Sequence, residues 1–405
     1  MRILMLTANL PYPPASGGAL RSYGLIHGLH AAGHEITLLS FHDGSTTVEG
    51  TPLAKACVRI ETGPPPRRTK VDRLRDVLLT SKADIERRMY STEFHRRLKG
   101  LLHQYSFDLI QFEGIEVACY LPFVRQMQPP AQLCFDTFNA EYALQRVIFE
   151  VDRRDPKRLP GALYSLVQSR RIKRFEREVC QQADLVIAVS PEDAEALREF
   201  RADGRIFVVP NGIFADDYRA PIEVPDLGGN ALVFTGKMDY RPNVDAMLWF
   251  AGAILPAIQQ QVSDVRLIIV GQKPHPKIAA LHGQGNITIT GWVDSVQPYL
   301  HSAAVYIAPL RMGSGTRLKI LEALASGCPV VTTSIAASGL LPEAKRAMII
   351  ADEEAEMAKA IVNLLRDPAQ RRELGALAKT AVQKHYDWSV LIPRLLSAYR
   401  ESGVG

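Results

Sequence analysis

The sequence predicts an α/β protein built from two parallel β-sheets in tandem, each covered by helices. Three observations carry this. Short apolar runs alternate with longer helical stretches along most of the chain. The alternation breaks once, at the proline- and glycine-punctuated "RAPIEVPDLGGN" (219–230), and then restarts. A length of 405 residues also exceeds what one growing hydrophobic core usually holds.

In chain order, "RILMLTA" (2–8) reads as a buried strand, "LRSYGLIHGLHAAGH" (20–34) as a helix and "EITLLS" (35–40) as a second strand. "FDLIQFE" (107–113), "AQLCFDT" (131–137), "DLVIAVS" (184–190) and "RIFVVPNG" (205–212) are further strands. Nearly continuous apolar character, without alternation, marks strands of a parallel sheet buried on both faces. The run 161–183 is a long helix whose Leu163, Leu166, Ile172, Phe175 and Val179 form an apolar stripe. After the break, "ALVFTG" (231–236), "VRLIIVG" (265–271), "ITITGWV" (287–293), "VYIAPL" (305–310), "PVVTT" (329–333) and "MIIAD" (348–352) are strands. Helices are predicted at 353–366, 369–385 and about 388–399. The expected organisation is two Rossmann-like domains, 1–218 and 231–385, a linker at 219–230, and a C-terminal helical segment, 386–405, that can cross back to the first domain.

Composition excludes several classes. With 47% hydrophobic and 22% charged residues the chain is an ordinary globular one. It has no charge-free apolar run long enough for a transmembrane helix. Its start reads as a first strand rather than a signal peptide, so the cytoplasm is the default location. Cysteines 57, 119, 134, 180 and 328 lie too far apart for a zinc set or a disulfide framework. The net charge of +5 is uneven: residues 59–100 hold 12 Arg or Lys against 6 Asp or Glu, and 141–178 hold 10 against 6. This surplus is read either as a solvated face or as a peripheral contact with an anionic membrane or a phosphorylated lipid. Nucleic acid is not expected, because no aromatic interleaving or recognition motif accompanies the charge.

Ligands of open parallel sheets sit beyond the carboxyl ends of the strands. Three loops there carry polar chemistry. "PYPPASGGALR" (11–21) places Ser16, Gly17 and Gly18 before a helix expected to begin near Ala19. Glycine lets a phosphate or sugar approach the main chain. The loop is not GxGxxG, so no nicotinamide fingerprint is present. "LVFTGKMDYRPNVD" (232–245) puts Gly236 and Lys237 at a strand end, with Asn243 as the expected N-cap of the next helix. In "GSGTRLKILEALASGCPVV" (313–331) a glycine loop opens into a helix expected over 316–326. The N–H groups of Ser314, Gly315 and Thr316 suit a phosphate. Arg317 offers a forked contact and Lys319 a point charge. Glu322, a turn or more along, can accept two hydroxyl hydrogen bonds, as from a ribose.

That stretch resembles the signature of the family 4 glycosyltransferases, retaining sugar transferases of the GT-B fold, in which two Rossmann-like domains face each other across a cleft. Supporting matches are "GGALRSYGLIHGLHAAGHEITLLS" (17–40), "ADLVIAVS" (183–190), "VVPNGI" (208–213), "VFTGKMDYRPNVDAMLWF" (233–250), "LIIVG" (267–271) and "ITITGWV" (287–293). The resemblance implies a UDP- or GDP-sugar donor on the second domain and a sugar, lipid-linked or small-molecule hydroxyl acceptor on the first. No metal is expected, because no strand-end carboxylate pair typical of metal-held nucleotide sugars is present and the positive loops can neutralise the diphosphate. Glu322 then takes the ribose. The family's second glutamate, eight positions earlier, is replaced by Ser314. Lys237 matches the first member of the family's basic pair on the diphosphate. The second falls within "RPN" (241–243) and is absent, with Arg317 and Lys319 as natural replacements. Arg317 is expected to make the forked contact. Asp136 stands at or beside the place of a histidine that contacts the reacting sugar, and Glu113 lies where other members show histidines. Both are candidates on the acceptor side, Asp136 with a catalytic role. The implied reaction is front-face transfer with retention, in glycan, glycolipid or natural-product biosynthesis. An inverting or epimerase-like GT-B enzyme and a non-catalytic sugar-nucleotide or glycan-binding protein stay open.

Overall fold

The computed structural model describes residues 1–403 apart from 15, 46, 70, 71, 73, 74, 77, 78, 129, 153–158, 202, 219–222 and 313–316. The chain forms two compact units, one of residues 1–210 with 391–405, the other of residues 211–390.

The first unit holds β1 (Arg2–Thr7), β2 (Glu35–Phe41), β3 (Arg59–Gly63), β4 (Leu109–Glu113), β5 (Gln132–Thr137), β6 (Leu185–Ala188) and β7 (Ile206–Val208). They form one parallel sheet in the order β3-β2-β1-β4-β5-β6-β7. β1 is buried from Ile3 to Thr7 and β4 throughout, as strands covered on both faces require. β3 is the strand the sequence does not announce: "RIETG" sits at the sheet edge and is mostly half-exposed. The predicted strand at 205–212 shortens to three residues.

The first helix spans Gly17–Ala31, three residues earlier at both ends than the pattern suggested. Ser16 is its N-cap, accepting from Ala19 N at 3.4 Å. Gly17 and Gly18 therefore lie inside the first turn. The helix stops before Gly33, whose φ of 84° suits glycine. The long helix is Leu159–Gln182 and the C-terminal one Trp388–Glu401, which runs through Pro393. Residues of the latter join the first unit: Tyr399 donates its hydroxyl hydrogen to Gln111 Oε1, and Ile392 packs so closely on Gly28 that a Cβ there would lie 2.3 Å from Ile392 Cγ1.

The second unit holds β8 (Ala231–Thr235), β9 (Arg266–Val270), β10 (Ile287–Gly291), β11 (Val305–Ala308), β12 (Val330–Thr332) and β13 (Ile349–Ile350). Their order is β10-β9-β8-β11-β12-β13, again all parallel. The order reverses between β8 and β11, so the topology itself places a binding crevice at the carboxyl ends of these two strands. Its core is one cluster including Leu232, Phe234, Ile269, Tyr306, Ile307, Ile320 and Leu324. The helix of the signature stretch runs Leu318–Ser326, with Arg317 as N-cap and Gly327 closing it at φ 73°. It starts two residues later than predicted. Ser314, Gly315 and Thr316 lie outside the described residues, as do 219–222 of the predicted linker.

Candidate active site

β8 ends at Thr235, and Gly236 follows with φ 150°. A Cβ at Gly236 would stand 2.7 Å from Lys319 Nζ and 2.8 Å from Asn243 Nδ2. Next to it, Gly271 ends β9 with φ 154°, where a Cβ would collide with Gly236 O at 1.7 Å. Two glycines thus let two strand ends and a lysine ammonium converge on bare backbone.

Lys319 Nζ donates to Asn243 Oδ1 at 2.8 Å and lies 4.3 Å from the centre of the Phe234 ring. Asn243 is not the N-cap expected for it. The helix Arg241–Trp249 has Tyr240 at its N-cap and Pro242 in its first turn, so Asn243 lies one position further in. Its amide instead donates to Lys237 O at 2.9 Å while its carbonyl receives Lys319. Asn243 therefore fixes the lysine to the β8 loop, a role that capping statistics hid. Burial pushes the Lys319 pKa down to about 7, and Arg317 adds to the shift, while Glu322 opposes it. No ion pair of Lys319 is present among the described residues; its charge is held by an amide and a ring face.

Glu322 lies one turn along the same helix. Tyr218 donates its hydroxyl hydrogen to Glu322 Oε1 at 3.0 Å. Burial raises the pKa of Glu322; Tyr218 and Lys319 hold it down. Oε2 has no hydrogen-bond partner among the described residues. Tyr218 comes from a short turn, Ala215–Tyr218, that the sequence pattern assigned to the first domain. Arg317 is half-buried; burial bears against its charge and nearby Tyr240 partly offsets that. Lys237 is mostly exposed, 3.8 Å from Asp239 Oδ1. Arg311, just after β11, is held by Asp245 in a two-pronged pair at 2.8 and 3.0 Å.

In the first unit, Glu113 and Asp136 end adjacent strands in direct register. Both are fully enclosed. Arg21 makes a forked pair with Asp136, Nε to Oδ1 at 3.0 Å and Nη2 to Oδ2 at 2.9 Å. Its Nη1 donates to Val209 O at 3.0 Å and Pro210 O at 3.1 Å. Glu113 accepts from Ser22 Oγ at 2.8 Å and Gln111 Nε2 at 2.5 Å. Burial raises both carboxyl pKa values. Asp136 repels Glu113 further, while Arg21 restrains the rise at Asp136. One guanidinium faces two carboxyls, so the rise is restrained at Asp136 and reinforced at Glu113. Neither carboxylate reaches solvent here, so neither is placed to touch a ligand directly. Gly18 lies against a different wall: a Cβ there would stand 2.9 Å from the Phe138 ring, and Gly17 beside it is exposed.

Among the described residues no group of three or more His, Cys, Asp or Glu is arranged to hold a metal, and no helix is long and apolar enough to cross a membrane. His27 and His34 have pKa values lowered mainly by burial, and His34 Nδ1 lies 3.2 Å from the N-terminal amine.

Two parallel sheets covered by helices, the second reversing its strand order between β8 and β11, define a doubly wound α/β class of protein. Comparison narrows it: residues 15–217 match the model of Glycosyltransferase Family 4 and residues 229–367 that of Glycosyl transferases group 1, so the chain belongs to this family. A phosphatidyl-myo-inositol mannosyltransferase of Mycobacterium leprae is 30% identical over 200 residues, 47% of this chain and 52% of that protein. The match thus spans about half of that relative's length. Sucrose-phosphate synthase from Thermosynechococcus elongatus superposes with a TM-score of 0.71 at 20% identity, over 99% of both chains. HepE of Anabaena, crystallised with UDP, gives 0.69 at 14% identity, covering 99% of this chain and 100% of that one. These likenesses establish the GT-B fold.

Proposed function

We propose that the protein transfers a sugar, with retention, from a nucleotide-diphosphate sugar to a hydroxyl acceptor. The observation that carries the reading is the Gly236–Asn243–Lys319–Glu322 arrangement at the reversal point of the second sheet. An ammonium set on bare backbone suits a diphosphate. A carboxylate with one oxygen anchored by Tyr218 and the other open suits a ribose hydroxyl. The presence of UDP in HepE supports the same ligand class.

As the glycosidic bond breaks, negative charge gathers on the leaving diphosphate. Lys319 stabilises it, with Lys237 and Arg317 as further cations. Asp136 and Glu113 act as positioning residues: with Arg21 they tie the first helix to the ends of β4, β5 and β7. No enclosed carboxylate serves as a base; in a front-face transfer a donor phosphate oxygen takes the acceptor proton.

The test is turnover of a panel of UDP- and GDP-sugars, with the product anomer read by NMR. Retained configuration is the expected result; inverted configuration overturns front-face transfer. Glu322→Gln should weaken UDP binding by about tenfold, the loss of a charged hydrogen bond, with the fold intact. Unchanged calorimetric affinity removes Glu322 from the ribose.

A second, peripheral contact is favoured by one surface. Leu79 is 77% exposed, and Arg170, Arg171 and Arg174 of the long helix stand around it. An apolar tip ringed by guanidinium groups suits an anionic leaflet.

A further inference from the structure

A cavity of about 310 Å³ opens in the first unit, lined by Asn9, Tyr12, Pro13, His42, Asp43 and Ser45, with Phe41 among its apolar walls. Its residues follow β1 and β2, and Pro65 after β3 closes one side, so three adjacent strands deliver it at their carboxyl ends. We infer that this cavity holds the acceptor's terminal residue, and that this residue is a neutral sugar rather than a phosphorylated or carboxylated one. The inference rests on the sugar-transfer reading above and adds the acceptor's chemical class.

The lining carries the argument. Tyr12 is braced by Tyr23 at 5.8 Å, which in turn packs on His27 at 4.4 Å, so its ring is set as a wall rather than left to swing. Phe41 is buried against Phe94 at 4.2 Å and makes a rigid floor. Aromatic and proline surfaces suit the C–H face of a pyranose. Around them stand Asn9, His42, Asp43 and Ser45, which together both donate and accept hydrogen bonds. Asp43 accepts from Ser45 N at 2.9 Å, and the Ser45 hydrogen bonds hold its carboxyl below its usual range. It stays ionised at neutral pH and can take two sugar hydroxyls.

Charge supplies the selectivity. Among the described residues, no arginine or lysine lines the cavity. A sugar phosphate or uronic acid would bring its anion to Asp43, where the only basic side chain lining the cavity among the described residues is His42, its Nδ1 3.7 Å from Asp43 Oδ1, and like charges across a site discriminate strongly. The neighbouring cavity lined by Arg67, Arg68, Arg75, Lys82 and Arg87 does not offer a better anion site. Four of these five cations are met from within: Arg68 by Asp76 at 2.6 Å and Asp84 at 3.0 Å, Arg75 by Asp72 at 3.6 Å, Arg87 by Asp76 at 3.1 Å, and Lys82 by Glu86 at 2.5 Å. The volume also bounds the occupant. At about 310 Å³ it lies at the low end of ligand pockets, room for a terminal residue rather than a long chain.

The experiment uses the full-length protein and saturation-transfer NMR with methyl glucoside, methyl mannoside and methyl galactoside, each against its uronic acid and its sugar phosphate. At least one neutral methyl hexoside should bind about tenfold more tightly than its acidic counterparts, a difference of one decade in affinity. Tyr12→Ala should weaken the neutral ligand. Asp43→Asn should narrow the gap between neutral and acidic ligands, which a merely structural role would not do. UDP and GDP are titrated in parallel, and whichever binds the parent protein should bind both variants equally. The inference is overturned if no neutral hexoside binds, if an acidic one binds as tightly, or if neither substitution changes the ranking. Absence of both UDP and GDP binding in the parent protein would instead sink the sugar-transfer reading, and the hexoside series would still report on the cavity.

Discussion

At the scale of single residues, Lys319 sets the pH behaviour of the proposed donor site. Its side chain is half-buried, and its pKa is pushed down to about 7 from the ordinary value of 10.5. The free protein therefore loses this charge as pH rises through about 7, while a bound diphosphate restores it. By linkage, UDP affinity should fall above that point, by up to about tenfold per pH unit until the bound-state pKa is reached. Titration calorimetry from mildly acidic to mildly alkaline buffer reads the slope. Lys319→Met should flatten it over this range; a slope unchanged by the substitution removes Lys319 from the diphosphate. The forked contact expected of Arg317 is not the only solution the stretch offers. Arg317 and Lys319 are two residues apart and project in different directions, and it is the lysine that meets Gly236. Asp136 belongs to the same scale but to a different consequence. Removing one partner of an enclosed pair leaves a charge stranded, so Asp136→Ala should cost about 3–5 kcal/mol, read by urea unfolding. A loss well below 1 kcal/mol would mean that the Arg21 pair contributes little.

At the scale of elements, most strands could be read because burial on both faces leaves apolar runs that nothing else explains. β3 could not, since an edge strand has one open side and tolerates Arg59, Glu61 and Thr62. Helix starts slipped where glycine stood at the boundary: Gly17 and Gly18 read as loop, yet Ser16 caps the helix ahead of them. Asn243 was misread for a related reason. Asparagine beside proline looks like a cap, and only the tertiary fold reveals that its amide spans Lys237 and Lys319. The Tyr218–Glu322 bond was equally hidden, joining residues 104 apart with no local signature. Glu322 and Lys319 themselves were legible, because a glycine loop opening into a charged helix is a local pattern. Glycine also governs how the C-terminal helix docks. A Cβ on Gly28 would overlap Ile392 at 2.3 Å, so Gly28→Val should destabilise the protein by about 1–3 kcal/mol through overpacking. Thermal unfolding measures this, and pairing it with Ile392→Ala should recover part of the loss. No loss from Gly28→Val would mean that the helix can shift at little cost.

At the scale of the whole molecule, the question is what the basic surplus does. Much of it is consumed internally. Within 59–100, Arg68, Arg75, Lys82, Arg87, Arg88, Arg96 and Arg97 all meet carboxylates, and Arg59 stacks on Tyr105 at 4.6 Å. Counting charge along the sequence therefore overstates the field of that segment. Within the same segment, residues 70, 71, 73, 74, 77 and 78 lie outside the described residues. What remains is the patch around Leu79. There Arg171 donates to Lys82 O at 3.3 Å and Arg174 to Ser81 O at 2.5 Å, bonds that orient the guanidinium groups, and Arg174 also lies 3.8 Å from Glu178 Oε1 in an exposed pair. Each cation close to an anionic leaflet contributes about 1 kcal/mol, and the term fades with salt. Three of them with one apolar tip predict weak, salt-sensitive adsorption. Flotation with phosphatidylcholine vesicles, alone and with added phosphatidylglycerol, separates the outcomes. The protein should float only with the anionic vesicles at low salt, and the triple substitution of Arg170, Arg171 and Arg174 to Glu should abolish this. Because that surface is distinct from Lys319 and Glu322, UDP affinity should be unchanged in the triple variant. Equal absence of binding to both vesicle types would reject the membrane contact and leave the basic face as solvated surface.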